Sequence, residues 1–129
     1  MTISRRDSMF AGIASIGAVL LAHAFNNFAC YEADFATFLF TAAIFVLPPL
    51  IPAMVALALP NPLRAVGACA FLMPWLLLAF YTDCIRPYSG GGASMIYVAV
   101  LLWGLPSAVV GAFVAGPIAR WWHIEVIAR

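Results

Sequence analysis

Four stretches of this chain, residues 9–25, 35–59, 65–81 and 95–118, contain no Asp, Glu, Lys or Arg. No other feature restricts the fold as much. A helix that crosses the hydrocarbon core of a bilayer needs about 20 apolar residues, with roughly 17 to 25 tolerated. All four stretches qualify, the first and third at the short end. Backbone in lipid must satisfy its own hydrogen bonds, and these runs are too long for barrel strands, so each is expected to be a helix. Composition leaves no soluble alternative. The 129-residue chain is 66% hydrophobic and 9% charged, against about 25% charged in a soluble domain. A domain this small has too much surface for its volume to hide that apolar area. The expected fold is therefore an all-α membrane protein, one four-helix transmembrane bundle over residues 1–129, with the bilayer as its first partner.

The connections are short. "NNFACYEAD" joins spans one and two, "PNPLR" joins two and three, and "TDCIRPYSGGGAS" joins three and four. Gly90, Gly91 and Gly92 make the last of these the expected point of greatest flexibility. The closing segment, residues 119–129, is too short and too charged to span, and its Trp121, Trp122, Ile124, Val126 and Ile127 suit an interfacial position. Arg5, Arg6, Arg64, Arg120 and Arg129 fall on one side of four spans, and Arg86 falls on the other with Glu32, Asp34 and Asp83. Cytoplasmic loops carry the excess of basic residues, so both termini are expected to be cytoplasmic (N-in/C-in) in a multi-pass protein of the bacterial inner membrane. Tyr31, Tyr81, Tyr88 and Tyr97 then lie at the outer boundary, and Trp121 and Trp122 at the inner one, as amphipathic rings prefer.

The first span has a second reading. Ser4-Arg5-Arg6-Asp7 resembles the start of a twin-arginine export signal, and Ala22-His23-Ala24 a small-x-small cleavage site. That pattern wants a large apolar residue two places after the arginine pair, where this chain has Ser8. Removing span one would also put Arg64 and Arg120 on opposite sides. A retained helix is expected.

Few residues could carry chemistry. Cys30 and Cys84 both fall in outer loops, and an oxidising outer compartment favours a disulfide between them over two free thiols. The absence of Cys-x-x-Cys argues against a catalytic redox pair. Cys69, inside span three, is expected to be a small core residue. His23 is the ionisable side chain within a span, and Asn26 and Asn27 follow at helical spacing, so the three form an expected polar cluster at the outer end of span one. The alternative, a metal or proton site joining His23 to Cys30, Glu32, Asp34 or Asp83, has no recognisable ligand spacing. No metal or cofactor is expected.

Proline is concentrated inside the spans. Pro48, Pro49 and Pro52 are expected to break span two, and Pro74 and Pro106 to kink spans three and four. Broken helices can line substrate routes in transporters, or can simply pack. Small residues form ladders: Gly104, Ala108, Ala112 and Gly116 on span four, with Ser107, Gly111 and Ala115 beside them, and Ala14, Ala18 and Ala22 on span one. Such faces let helices approach closely, because lipid offers no hydrophobic drive for association. Span four is expected at a helix contact, internal or with another chain.

These features disfavour most function classes. The absence of lysine removes Schiff-base chemistry, and the lack of a basic stripe argues against nucleic acid. An enzyme or ion-coupled transporter needs bases, metal ligands or a buried carboxylate at depth, which the spans lack. The expected role is binding, as an accessory subunit or immunity-type partner of another membrane protein. A small oligomeric channel or carrier is the alternative.

Overall fold

The computed structural model describes residues 1–86 and 95–128. The Gly90–Gly92 segment, Tyr88 and Arg129 lie outside the described residues. About 82% of the structure is helical, with four helices long and apolar enough to cross a membrane.

Helix α1 (Arg5–Phe25) begins four residues before its apolar run, because Ser4 caps it: the Ser4 hydroxyl accepts from the Asp7 amide at 3.1 Å. It continues without a break into a π turn, Asn26–Cys30. Helix α2 (Phe35–Thr41) starts at a second side-chain cap, with the Asp34 carboxylate accepting from the Thr37 amide at 2.8 Å. A π turn (Ala42–Val46) joins it to α3 (Leu47–Ala58), which stops before Pro60. Helix α4 (Leu63–Phe80) follows a turn in which the Asn61 side chain accepts from the Leu63 amide, and it ends in a third π turn, Tyr81–Ile85. Helix α5 runs Ile96–Trp121.

The interruption expected at Pro48–Pro52 takes a different form. Span two stays helical from Phe35 to Ala58. Prolines 48, 49 and 52 withdraw the donors that the carbonyls of Ile44, Phe45 and Pro48 take in a regular helix. The chain answers by widening to the π pattern just ahead of them, which sets Pro48 and Pro49 in the first turn of α3, where a missing N–H is tolerated.

Helix α4 is the hub, packed most extensively on α5 and then on α1 and α3. The core is built from Val19, Val46, Leu50, Leu72, Leu76 and Val100 with many alanines and the free thiol of Cys69. Span four's small residues face inward. Gly111 lies against Gly67 of α4 backbone to backbone, Ala108 is buried, Ala112 packs on the core, and Gly104 faces Leu72 and Pro49. Gly116 faces the Arg64 guanidinium, and Ser107 accepts from the Trp75 indole N–H at 2.9 Å. Ser107→Ala removes that acceptor with little change in volume. It should lower unfolding stability in detergent by about 1 kcal/mol, read as a small drop in melting temperature. Of the Ala14–Ala18–Ala22 ladder only Ala22 packs on the core: Ala14 and Ala18 are exposed, and α1 buries Ser8, Gly12, Val19 and His23. Gly12 permits a close approach there: a Cβ would lie 2.6 Å from Leu57 Cδ2, which can turn aside, and 3.1 Å from Ala65 Cβ, which has less room to give.

The tail holds an element that the apolar pattern does not announce. Strand β1 (Thr2–Ser4) pairs in parallel with β2 (Glu125–Ile127), in the register Thr2↔Glu125, Ile3↔Val126 and Ser4↔Ile127. His123, at φ 54°, turns the chain out of α5, with the Ile124 amide bonding back to Ala119. The strand pair brings both terminal segments to one end of the bundle, and the Cys30–Cys84 bond marks the other.

Candidate functional site: a polar pocket at the disulfide end

Cys30 closes the π turn after α1, and Cys84 sits in the π turn after α4. They form the expected disulfide, with Cα atoms 5.8 Å apart. The bond has a local consequence. Tyr31 follows Cys30 and Asp83 precedes Cys84, so joining the cysteines brings these two side chains together, and the Tyr31 hydroxyl donates to Asp83 Oδ2. Burial, more than the Asp83 hydrogen bond and charge, pushes the Tyr31 phenol above its usual ionisation range, so it stays a donor. Asp83 Oδ1 is also buried and has no hydrogen-bond partner among the described residues.

The polar cluster lies just beneath. His23 is fully buried, and Asn26 and Asn27 are each 3% exposed. The Asn27 amide nitrogen is 3.2 Å from His23 Nε2 and 3.3 Å from Nδ1, and the Thr41 hydroxyl is 3.2 Å from Nε2. The same hydroxyl donates to Asn27 Oδ1. Asn26 donates to the Leu76 carbonyl at 3.3 Å and to the Tyr97 hydroxyl at 3.2 Å, tying span one to spans three and four. The His23 ring stacks on Phe38 and meets Tyr97 edge-on. Each polar group thus finds a partner on another helix or in its own turn, as burial requires.

A cavity of about 420 Å³ opens above this cluster. Asn27 comes from the π turn after α1, and Tyr31 and Ala33 from the linker that follows it. Span two lines it with Thr37, Thr41 and, from its π turn, Phe45; spans three and four add Asp83 and Tyr97. Hydrogen bonds from the Thr37 hydroxyl and amide hold the neighbouring Asp34 carboxyl below the usual carboxylate range. Of the expected polar cluster His23, Asn26 and Asn27, Asn27 lines the cavity directly, and Tyr31, Asp83 and Tyr97, each noted from sequence at the outer boundary, line it too. Thr41, Tyr97, Tyr31, Phe45 and Asp83 were not legible as a group, although Tyr31, Asp83 and Tyr97 share a predicted boundary. Pro48, Pro49 and Pro52 and the glycine face lie outside it. His23, Cys30, Glu32, Asp34 and Asp83 do not converge as metal ligands among the described residues, and Cys30 is held in the disulfide.

Among the described residues the chain has four helices long and apolar enough to cross a membrane, with a pocket beside the disulfide at one end. No protein-family model, curated protein or solved structure matches it.

Proposed function

We propose that this chain is a multi-pass protein of the bacterial inner membrane, termini in the cytoplasm, that acts by binding, as an accessory subunit or immunity-type partner of another membrane protein. The observation that carries this reading is the close packing of the middle of the bundle. Around the prolines, where a solute route would need water, Pro49, Leu50 and Ala53 are buried and packed against Leu72 and the Gly104 face. The polar groups gather at one end instead. Orientation is supported by Arg5, Arg6, Arg64 and Arg120 at the end where the strands pair, and by a disulfide at the other end, where an oxidising compartment keeps it formed. A binding role also needs no nucleophile, and the His23 ring nitrogens are engaged with Asn27 and Thr41.

One observation favours the second reading, a small oligomeric carrier. The π turn that holds Phe45 in the pocket directly precedes Pro48, so bending there would move a pocket wall. Native mass spectrometry of protein extracted gently from its own membrane separates the two. The binding reading expects a second protein at fixed stoichiometry. A homo-oligomer without a partner, giving solute flux in liposomes, overturns it in favour of the carrier.

A further inference from the structure

We infer that the cleft at the strand-pair end of the bundle is a binding site for the phosphate headgroup of an anionic phospholipid, held by the guanidiniums of Arg64 and Arg120. The inference goes beyond the accessory reading: it needs a membrane but no protein partner.

The cleft has a volume of about 930 Å³ and lies where α4 begins and α5 ends, with β2 as a further wall. Its charged groups are Arg64 on α4, Arg120 in the last turn of α5 and Glu125 on β2. Neither arginine side chain makes a hydrogen bond or ion pair among the described residues, with Glu125 or with any other group. The nearby acceptors are already engaged. The carbonyls of Ile118, Ala119 and Arg120 accept from the amides of Trp122, Ile124 and His123, and the Asn61 side chain accepts from the Leu63 amide. Arg64 is nonetheless held in position. Its Nη2, Cζ and Nε lie 3.2, 3.6 and 3.8 Å from the point a Cβ on Gly116 would occupy, so the guanidinium reaches across the cleft to the bare backbone of α5. Both residues line the cavity. Arg64 is half-buried, and its unpartnered nitrogens keep accessible surface. A guanidinium seated in this way with its N–H donors unspent suits the forked recognition of a phosphate.

Two arginines against one carboxylate leave the cleft net positive, which favours an anion over a zwitterionic headgroup. The rest of the wall favours a lipid over a free phosphate ester. Leu59, Pro117 and Ile124 offer apolar surface beside the arginines. The cleft also lies at the ends of the candidate spans Phe35–Ala58, Leu63–Ile85 and Ile96–Trp121, and the exposed Trp121 and Trp122 follow Arg120 directly. Span ends with exposed tryptophan lie at headgroup depth, and basic pockets between helix ends hold anionic headgroups there.

The test is a lipid titration of the purified full-length protein in neutral detergent, read by native mass spectrometry. The probes are phosphatidylglycerol, phosphatidylcholine with the same acyl chains, and glycerol 3-phosphate, which carries the phosphate without the chains. The expected result is one phosphatidylglycerol bound about tenfold more tightly than phosphatidylcholine, with glycerol 3-phosphate weaker still. Arg64→Gln and Arg120→Gln should each weaken phosphatidylglycerol by about fivefold or more. Arg5→Gln is the control, because Arg5 is exposed and does not line the cleft; it should leave the affinity unchanged. Equal binding of the two lipids to the native protein overturns the inference, and so does no binding of phosphatidylglycerol. A preference that survives in both cleft variants, or that Arg5→Gln lowers as much as they do, reduces the effect to diffuse attraction and also overturns it. Glycerol 3-phosphate binding as tightly as phosphatidylglycerol would assign the cleft to a soluble phosphate ester instead. The native-protein comparisons decide the matter even if a variant fails to fold. A stoichiometric protein partner, found or not, bears on the accessory reading alone.

Discussion

Gly111→Leu is expected to cost the bundle more stability than any other packing substitution, about 3 kcal/mol or more, at the upper end of what overpacking a tight contact does. The reason is what the new side chain meets. A Cβ at Gly111 would lie 2.8 Å from the Gly67 carbonyl carbon and 2.9 Å from the Phe71 Cβ, and nearer still to the Gly67 carbonyl oxygen. These are backbone or backbone-fixed atoms of α4, and no rotamer change moves them aside. The helices must separate, which opens the most extensive contact in the protein. Melting in detergent should fall by about 10 °C or more, given roughly 2 to 8 °C per kcal/mol for domains of this size. Gly17→Ala is the matched control. Nothing lies within 4 Å of a Cβ there, so the melt should stay level or rise, since alanine is a better helix former by about 0.5 to 1 kcal/mol. An unchanged melt for Gly111→Leu would show that the α4–α5 contact is not held by close approach.

Loss of the disulfide should have an effect of similar size and reach the pocket as well. Cys30 and Cys84 are separated by 54 residues, and closing a chain loop of that length is worth about 4 kcal/mol on the entropic model, with typical measured values of about 2 to 4. The oxidised protein should run faster than Cys30→Ser in non-reducing electrophoresis and melt at a higher temperature. Identical migration with both thiols open to labelling would remove the bond. The same variant should release Tyr31. Its phenol is raised above the usual value of 10.0 in the folded protein by burial first, then by the Asp83 hydrogen bond and charge. A raised tyrosine contributes stability that is fully present below its unfolded value and is lost as pH rises toward the folded one. Native protein should therefore lose stability above about pH 10, and ultraviolet titration should find Tyr31 ionising earlier in Cys30→Ser than in the native chain.

Tyr31 and Asp83 illustrate how far the sequence can be read. Each is legible as a boundary residue, and the cysteines beside them are legible as a pair, because four alternating spans put both of their loops at the same end. That the two side chains meet follows from the pairing but requires the π turns to aim them, and nothing in "NNFAC" or "YTDCI" announces a π turn. Thr41 is harder still. It sits inside an apolar run, and only the rotation of α2 about its own axis brings its hydroxyl to His23 and Asn27. The same limit explains the small-residue ladders. Gly104 and Gly111 on span four and Ala14 and Ala18 on span one look equivalent as patterns, yet the first pair is buried and the second exposed.

Segment length, charge-free composition and cysteine placement are local properties, and they determined by themselves the four apolar helical segments, their approximate limits and the cysteine pair. The choice of α4 as hub, the Gly67–Gly111 contact, the pocket around Asp83 and the β1–β2 pairing were decided only by the tertiary structure. Each depends on how helices rotate and approach across tens of residues. With apolar residues on every side of a helix, hydrophobic periodicity does not select a contact face, and close packing and hydrogen bonding select it instead.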